Sequence, residues 1–355
     1  MIFDTPFPSQ FCLQDLCAIT GRVFELRVNP HQAEADRAAR AWFNSINLYD
    51  DRKRSKFINY GKFDLFAALT YPDADSEHLT TGLMFFFWAF AVRPSCLCLL
   101  SSYVLKSPNQ ADDMADESDF RYKPDDVHSW HHISRSVFAN PESSRPEEPY
   151  AAMLYECVFS GSQPLNIPHS FYRAFESWSH AHVTQSRNRS QDRIASVDEF
   201  ILMRRSTIGA ALVEATIEYS LDLDIPDEVF ENPIVQEMSK ATNDLMTWPN
   251  KEQSDGDYQN LVFCIMHERK VGLQAAIDIL TEMLSQRVED YIQLKNRLPS
   301  FGPEADQALS SYLSALENFV QGTVLWYYLS PRYFRGVDIT NREDLVVPLF
   351  EPGAF

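Results

Sequence analysis

The stretch VDEFILMRRSTIGAALVEATIEYSL, from Val197 to Leu221, decides the fold class. Its apolar residues recur at helical spacing, with no period-two alternation, and Asp198 offers helix-start chemistry. The same periodicity, broken by Pro and by Asp/Asn/Ser clusters, predicts helices over His31–Leu48, Arg52–Leu69, Glu77–Ala91, Tyr150–Phe159, Ser170–Ser190, Glu228–Trp248, Gln259–Gln286 and Glu304–Leu329. Arg121–Pro149, with four prolines, reads as a loop holding a short helix. No strand pattern recurs, so the expected fold class is all-α. With no internal repeat and no Gly/Ser linker, a single domain over residues 1–355 is the simpler organisation.

Composition narrows the function. Gly is scarce at 11 of 355 residues, which suits long helices better than a turn-rich β fold. The formal charge of −19 argues against a nucleic-acid partner, because a phosphate footprint needs a basic face. The six cysteines have neither zinc spacing nor disulfide-framework density. They read as free thiols in a reducing compartment. With no signal peptide indicated, a cytoplasmic location is expected. Gly82–Leu105 is long and apolar enough to suggest a membrane span, but Arg93 and Pro94 interrupt its middle, and a central Arg is costly in lipid.

Three constellations carry chemistry. In Asp112-Asp113-Met114-Ala115-Asp116-Glu117, Asp112 and Asp116 share one face of a helix. Clustered carboxylates repel unless a cation sits between them, and hard oxygen ligands suit Mg2+ with a substrate phosphate. Taken alone, in so acidic a chain, the run reads first as a solvated acidic turn. In Met203-Arg204-Arg205-Ser206-Thr207-Ile208-Gly209, two Arg near a helix start can grip a diphosphate bidentately, or form a solvated pair. Trp326-Tyr327-Tyr328-Leu329-Ser330-Pro331-Arg332-Tyr333-Phe334 puts Arg332 and Tyr333 just beyond a helix end. The aromatic run Phe85, Phe86, Phe87, Trp88 and Phe90 reads as ordinary core or as a wall for a cation, with Phe87 and Trp88 as examples.

A DDxxD, an RRxTIG and a C-terminal Arg-Tyr pair, in that order, resemble the class I terpene synthases, and most of all the fungal, basidiomycete-type sesquiterpene synthases. The resemblance runs from the N-terminal PFPSQF to SPRYF. It implies Mg2+ at Asp112, with Asp113 and Asp116 beside it, and diphosphate contacts from Arg204, Arg332 and Tyr333. Arg205 is the neighbour with which Arg204 could be confused. It further implies a lyase that ionises and cyclises farnesyl diphosphate, as a monomer or homodimer.

The chain departs from that pattern twice. Nineteen residues, Val92–Gln110, separate the aromatic helix from Ala111-Asp112. Their removal restores the family spacing. Every Val codon begins GT and a Gln codon can be CAG, so a translated intron is favoured over a genuine loop insertion. The second metal motif, N-D-x-x-S-x-x-x-E, is not intact. One register uses Asn243, Thr247 and Glu252, but its spacing of four and nine turns Glu252 away, and Pro249 disturbs the helix. The preferred register uses Asn250 and Glu252, flanked by Trp248 and by Gln253, Gly256, Asp257 and Asn260. It lies 46 residues after Arg204 and lacks about six residues, the Ser ligand among them. The expectation is therefore a sesquiterpene synthase, with a catalytically impaired family member as the alternative. A chain-elongating prenyltransferase would need a second Asp-rich motif near Asn250, and an unrelated helical interaction protein would make the motif order coincidence.

Overall fold

In the computed structural model the described residues are 8–91, 124–139, 144–159, 169–191, 193–247, 260–331, 333 and 345–348. Helices dominate them. They are α1 (Leu16–Thr20), α2 (Gln32–Ile46), α3 (Asp51–Gly61), α4 (Phe63–Thr70), α5 (Ser76–Ala91), α6 (Pro124–Ala139), α7 (Pro149–Phe159) and α8 (His169–Ser190). There follow α9 (Val197–Thr207), α10 (Ala210–Ser220), α11 (Asp227–Phe230), α12 (Pro233–Met246), α13 (Leu261–Arg269), α14 (Leu273–Lys295) and α15 (Pro303–Leu329). One small antiparallel pair joins β1 (Gln10–Leu13) to β2 (Leu345–Pro348), with Phe11 opposite Val347. Four-residue strands are too short to leave a legible alternation in the sequence.

Four expected helices are each broken in two, for different physical reasons. Arg52–Leu69 divides at Lys62, which takes a left-handed conformation at φ 49°. A Cβ on Gly61 would lie 2.1 Å from the Phe63 ring, so only glycine fits there. The carbonyls freed by this break are taken from α15: Trp326 Nε1 donates to the Gly61 oxygen at 2.8 Å, and the Ser330 hydroxyl donates to that of Tyr60. Val197–Leu221 divides at Gly209, φ 80°. Glu228–Trp248 divides where Asn232 caps α12 and Pro233 occupies its first position. Gln259–Gln286 divides at left-handed Lys270, just before Gly272.

The short helix expected within Arg121–Pro149 is longer than expected. It is α6, a 16-residue helix beginning at Pro124. Proline at a first helical position lacks only an N–H that would go unbonded anyway, so Pro124 starts this helix and does not break it. At α9 the N-cap is Ser196, in a reciprocal capping box with Glu199; Asp198 lies in the first turn.

The core is unusually aromatic. Helix α5 packs against α2, α4 and α7, and α15 packs against α4 and α12. Phe87 sits among Phe43, Phe57 and Phe63, and Trp88 against Phe175 and Trp178. Both are buried within the core, as Phe63 and Trp326 are. No helix among the described residues is long and apolar enough to cross a membrane.

Two buried titratable groups give the fold opposite pH responses. Glu214 lies between α10, α12 and α15, where burial raises its pKa to about 7 against the favourable Ser239 hydroxyl contact at 2.7 Å. Its contribution to stability is complete below the ordinary carboxylate pKa and is lost as pH rises through about 7. Burial lowers His131 to about 3, so its contribution is lost as pH falls below the ordinary imidazole pKa. We predict that Glu214→Gln removes a loss of roughly 3 kcal/mol between pH 4.5 and pH 8.5. Chemical denaturation of both proteins at the two pH values measures it, and His131 cancels in the comparison. An unchanged pH profile in the variant would contradict the burial of this carboxyl.

Candidate active site

Four chain segments meet at one end of the bundle. The first is the last turn of α9. Because the helix breaks at Gly209, Arg204 and Arg205 end a helix; the expectation that they lie early in one is corrected. Arg204 is buried, 2% exposed, and its positive charge lies close enough to Tyr327 to oppose the effect of burial, which pushes that phenol's pKa up. The second segment is the end of α15. There Tyr327 donates to the Met246 oxygen at 3.1 Å, and its ring lies 4.6 Å from that of Tyr333. The third is the end of α12, which Met246 closes. The fourth is the end of α5, where Phe90 lies 5.7 Å from Trp326 and Tyr49 donates to the Ala91 oxygen. Phe63, Phe66, Phe90, Trp326, Tyr327 and Tyr333 thus form one continuous aromatic shelf beside Arg204.

Arg205 points elsewhere. Its Nε and Nη2 each donate to Asp244 at 2.8 Å, a bidentate pair, and these bonds hold its pKa up. Arg287 donates to the same Asp244 at 2.9 Å and to Glu237 at 2.8 Å. Arg205, Lys240, Ser239, Trp178 and Asn243 line a cavity of about 200 Å³. The adjacent arginines therefore have different surroundings: Arg204 neighbours the aromatic shelf, while Arg205 is committed to a carboxylate.

Of the first register of the second metal motif only Asn243 and Thr247 are described, and the Asn243 Oδ1 that would face a metal is buried with no hydrogen-bond partner among the described residues. Asn243 donates through Nδ2 to the Arg205 carbonyl at 2.9 Å, taking an oxygen freed by the break at Gly209. The Thr247 hydroxyl donates to the Asn243 carbonyl at 2.9 Å. Asn243 also shares its cavity with two cationic side chains, Arg205 and Lys240. Among the described residues no group of three His, Cys, Asp or Glu side chains is placed to hold a metal ion. Asp112, Asp113, Asp116, Asn250, Glu252 and Arg332 lie outside the described residues, as does Val92–Gln110. The segments that carry them adjoin this end of the bundle in the chain: Val92 follows α5 directly, and Asn250 comes four residues after Met246.

Sequence reasoning missed Tyr327 and Asp244. Tyr327 stood inside a quoted motif, but nothing in its spacing separates it from Tyr328. Asp244 adjoins Asn243, and no local pattern links it to an Arg 39 residues away.

The family profile described as "Terpene synthase family 2, C-terminal metal binding" matches residues 110–290, half of the chain. The chain belongs to this family. The match opens directly before Asp112. Curated relatives cover nearly all of this terpene synthase family member. Sesquiterpene synthase 2 of Postia placenta is 26% identical over 98% of the chain and 97% of its own length. Sesquiterpene synthase Agr1 of Cyclocybe aegerita is 28% identical over 88% and 85%. Among solved structures, an ancestral reconstruction, the SVS_A2 protein, superposes with a TM-score of 0.70 over 90% of both chains at 19% identity. Germacradien-4-ol synthase of Streptomyces citricolor gives 0.68 at 17% identity, over 86% of this chain and 96% of its own. At such identities these structures support the fold alone: a mostly helical single domain of the class I terpene synthase type.

Proposed function

We propose that the chain is a sesquiterpene synthase that ionises farnesyl diphosphate, releases diphosphate and cyclises the farnesyl cation. The observation that carries this reading is the meeting of Arg204, Tyr327 and Tyr333 at the bundle end to which the carboxylate segments connect. The names of the curated relatives, all sesquiterpene synthases in the two cases above, favour a C15 substrate.

In this reading Arg204 holds the diphosphate, joined by Arg332 and the Tyr333 hydroxyl. Its fixed charge offsets the negative charge that grows on the leaving group as the carbon–oxygen bond breaks, and burial strengthens that attraction. The faces of Phe90 and Tyr333, the partly buried rings of the shelf, stabilise the allylic cation, and the apolar surroundings keep water from quenching it. Asp112, Asp113 and Asp116, with Asn250 and Glu252, would hold Mg2+, which would supply further charge neutralisation on the diphosphate. Arg205 is outside this set, because Asp244 engages its fork.

Arg204→Lys and Arg332→Lys keep the charge but lose the planar fork. Each should weaken inhibition by inorganic diphosphate by about tenfold in an active, repaired form of the chain, the scale of one charge-assisted hydrogen bond. Inhibition curves for the parent and both variants test this. Unchanged inhibition would remove these residues from the diphosphate site.

A further inference from the structure

We propose that Asp244 is a positioning residue for diphosphate recognition: with Arg205 and Arg287 it ties the last turn of α9 to α12 and α14, and so fixes Arg204. The proposal rests on the reading of Arg204 as a diphosphate ligand.

The geometry carries it. Asp244 accepts two hydrogen bonds from Arg205 on α9 and one from Arg287 on α14, all at 2.8 or 2.9 Å. Arg287 also binds Glu237, about two helical turns earlier on α12, so three helices are cross-linked within a short span. Asn243, the residue before Asp244, adds a second tie from α12 to α9 through the Arg205 carbonyl. Arg204 and Arg205 are consecutive, about 100° apart around one helix turn. Holding Arg205 by both its side chain and its carbonyl therefore sets the direction of Arg204.

The location makes this hold consequential. Terminal helix turns open more readily than helix interiors, and α9 stops three residues after Arg204. On the other strut, Asp244 lies two residues before Met246, whose carbonyl receives the Tyr327 hydroxyl. Asp244 is thus linked to the arginine through Arg205 and to the tyrosine through Met246. Largely buried charges need complete pairing, and a well-packed apolar trio could supply comparable cohesion. A carboxylate held by two guanidinium groups adds orientation, because a bidentate pair fixes angle as well as distance.

The test is a double-mutant cycle on the full chain. Inorganic diphosphate with Mg2+ is titrated calorimetrically into the parent, Asp244→Asn, Arg204→Ala and the double variant, with melting temperatures recorded alongside. The expected losses of affinity are about tenfold for Asp244→Asn and about 100-fold for Arg204→Ala, since small displacements of a binding group have large costs. In the Arg204→Ala background, Asp244→Asn should add less than about twofold, the sign of two residues acting as a unit. Full affinity in Asp244→Asn, with a lowered melting temperature, would make the pair merely structural and overturn the proposal alone. A full tenfold effect in the Arg204→Ala background would do the same. No binding by the parent, or unchanged binding in Arg204→Ala, would overturn the diphosphate reading and the proposal with it. If Asp244→Asn does not fold, Arg205→Gln supplies the same arm from the more exposed partner.

Discussion

The chain as it stands should release little or no diphosphate from farnesyl diphosphate, and two edits together should raise that release at least ~100-fold. Nineteen extra residues separate the end of α5 from Asp112. Asn250 and Glu252 are two residues apart, about 200° around a helix, so one helix cannot turn both to the same ion. In the other register the spacing of four and nine turns Glu252 away from Asn243 and Thr247, and Pro249 disturbs the helix. Misplacing a catalytic group by ~1 Å can cost about 100-fold, and here a Ser ligand is absent from the motif. Deleting Val92–Gln110 and inserting Asp-Ile-Tyr-Ser-Tyr-Asn after Asn250 sets Asn, Ser and Glu at steps of four on one helical face. Each single edit should give less than the pair. Diphosphate release by the four proteins, with and without Mg2+, measures this; full activity in the unedited chain would overturn both the insertion and the deletion readings.

In the repaired chain, Asp112→Asn should cut turnover at least ~100-fold with little change in melting temperature. Loss of a major electrostatic contributor to a developing charge has that scale. Folding should be spared, because removing one carboxylate from Asp112, Asp113, Asp116 and Glu117 relieves repulsion among them. Steady-state kinetics with a parallel thermal melt separates the two effects. Turnover within twofold of the parent would remove Asp112 from the metal site.

The helical class was legible in the sequence because periodicity is local. Where helices end was less so. The breaks at Lys62 and Gly209 are stabilised by Trp326, Ser330 and Asn243, side chains distant in sequence that accept no local signature. The length of α6 was hidden among four prolines, the first of which, Pro124, starts the helix. At the site, residue types and their order marked Arg204, Arg205 and Tyr333. The division of labour between the two arginines was not legible, since neighbours of identical type differ only in what faces them. That difference is Asp244 on one side and Tyr327 on the other. The aromatic run of α5 illustrates the same limit. Its composition fits either a wall or a core, and the structure gives Phe87 and Trp88 to the core and Phe90 to the shelf.

The most direct test of the account is the product made from farnesyl diphosphate by the doubly edited chain. The reaction is run with Mg2+ and with isopentenyl diphosphate also present. Hydrocarbons are identified by gas chromatography–mass spectrometry, and released diphosphate is quantified. Cyclic C15 hydrocarbons formed one for one with diphosphate, and absent without Mg2+, are the expected result. A longer prenyl diphosphate would instead identify a chain-elongating prenyltransferase, and farnesol as the sole product would show a site that ionises its substrate without excluding water; either result would contradict the cyclase.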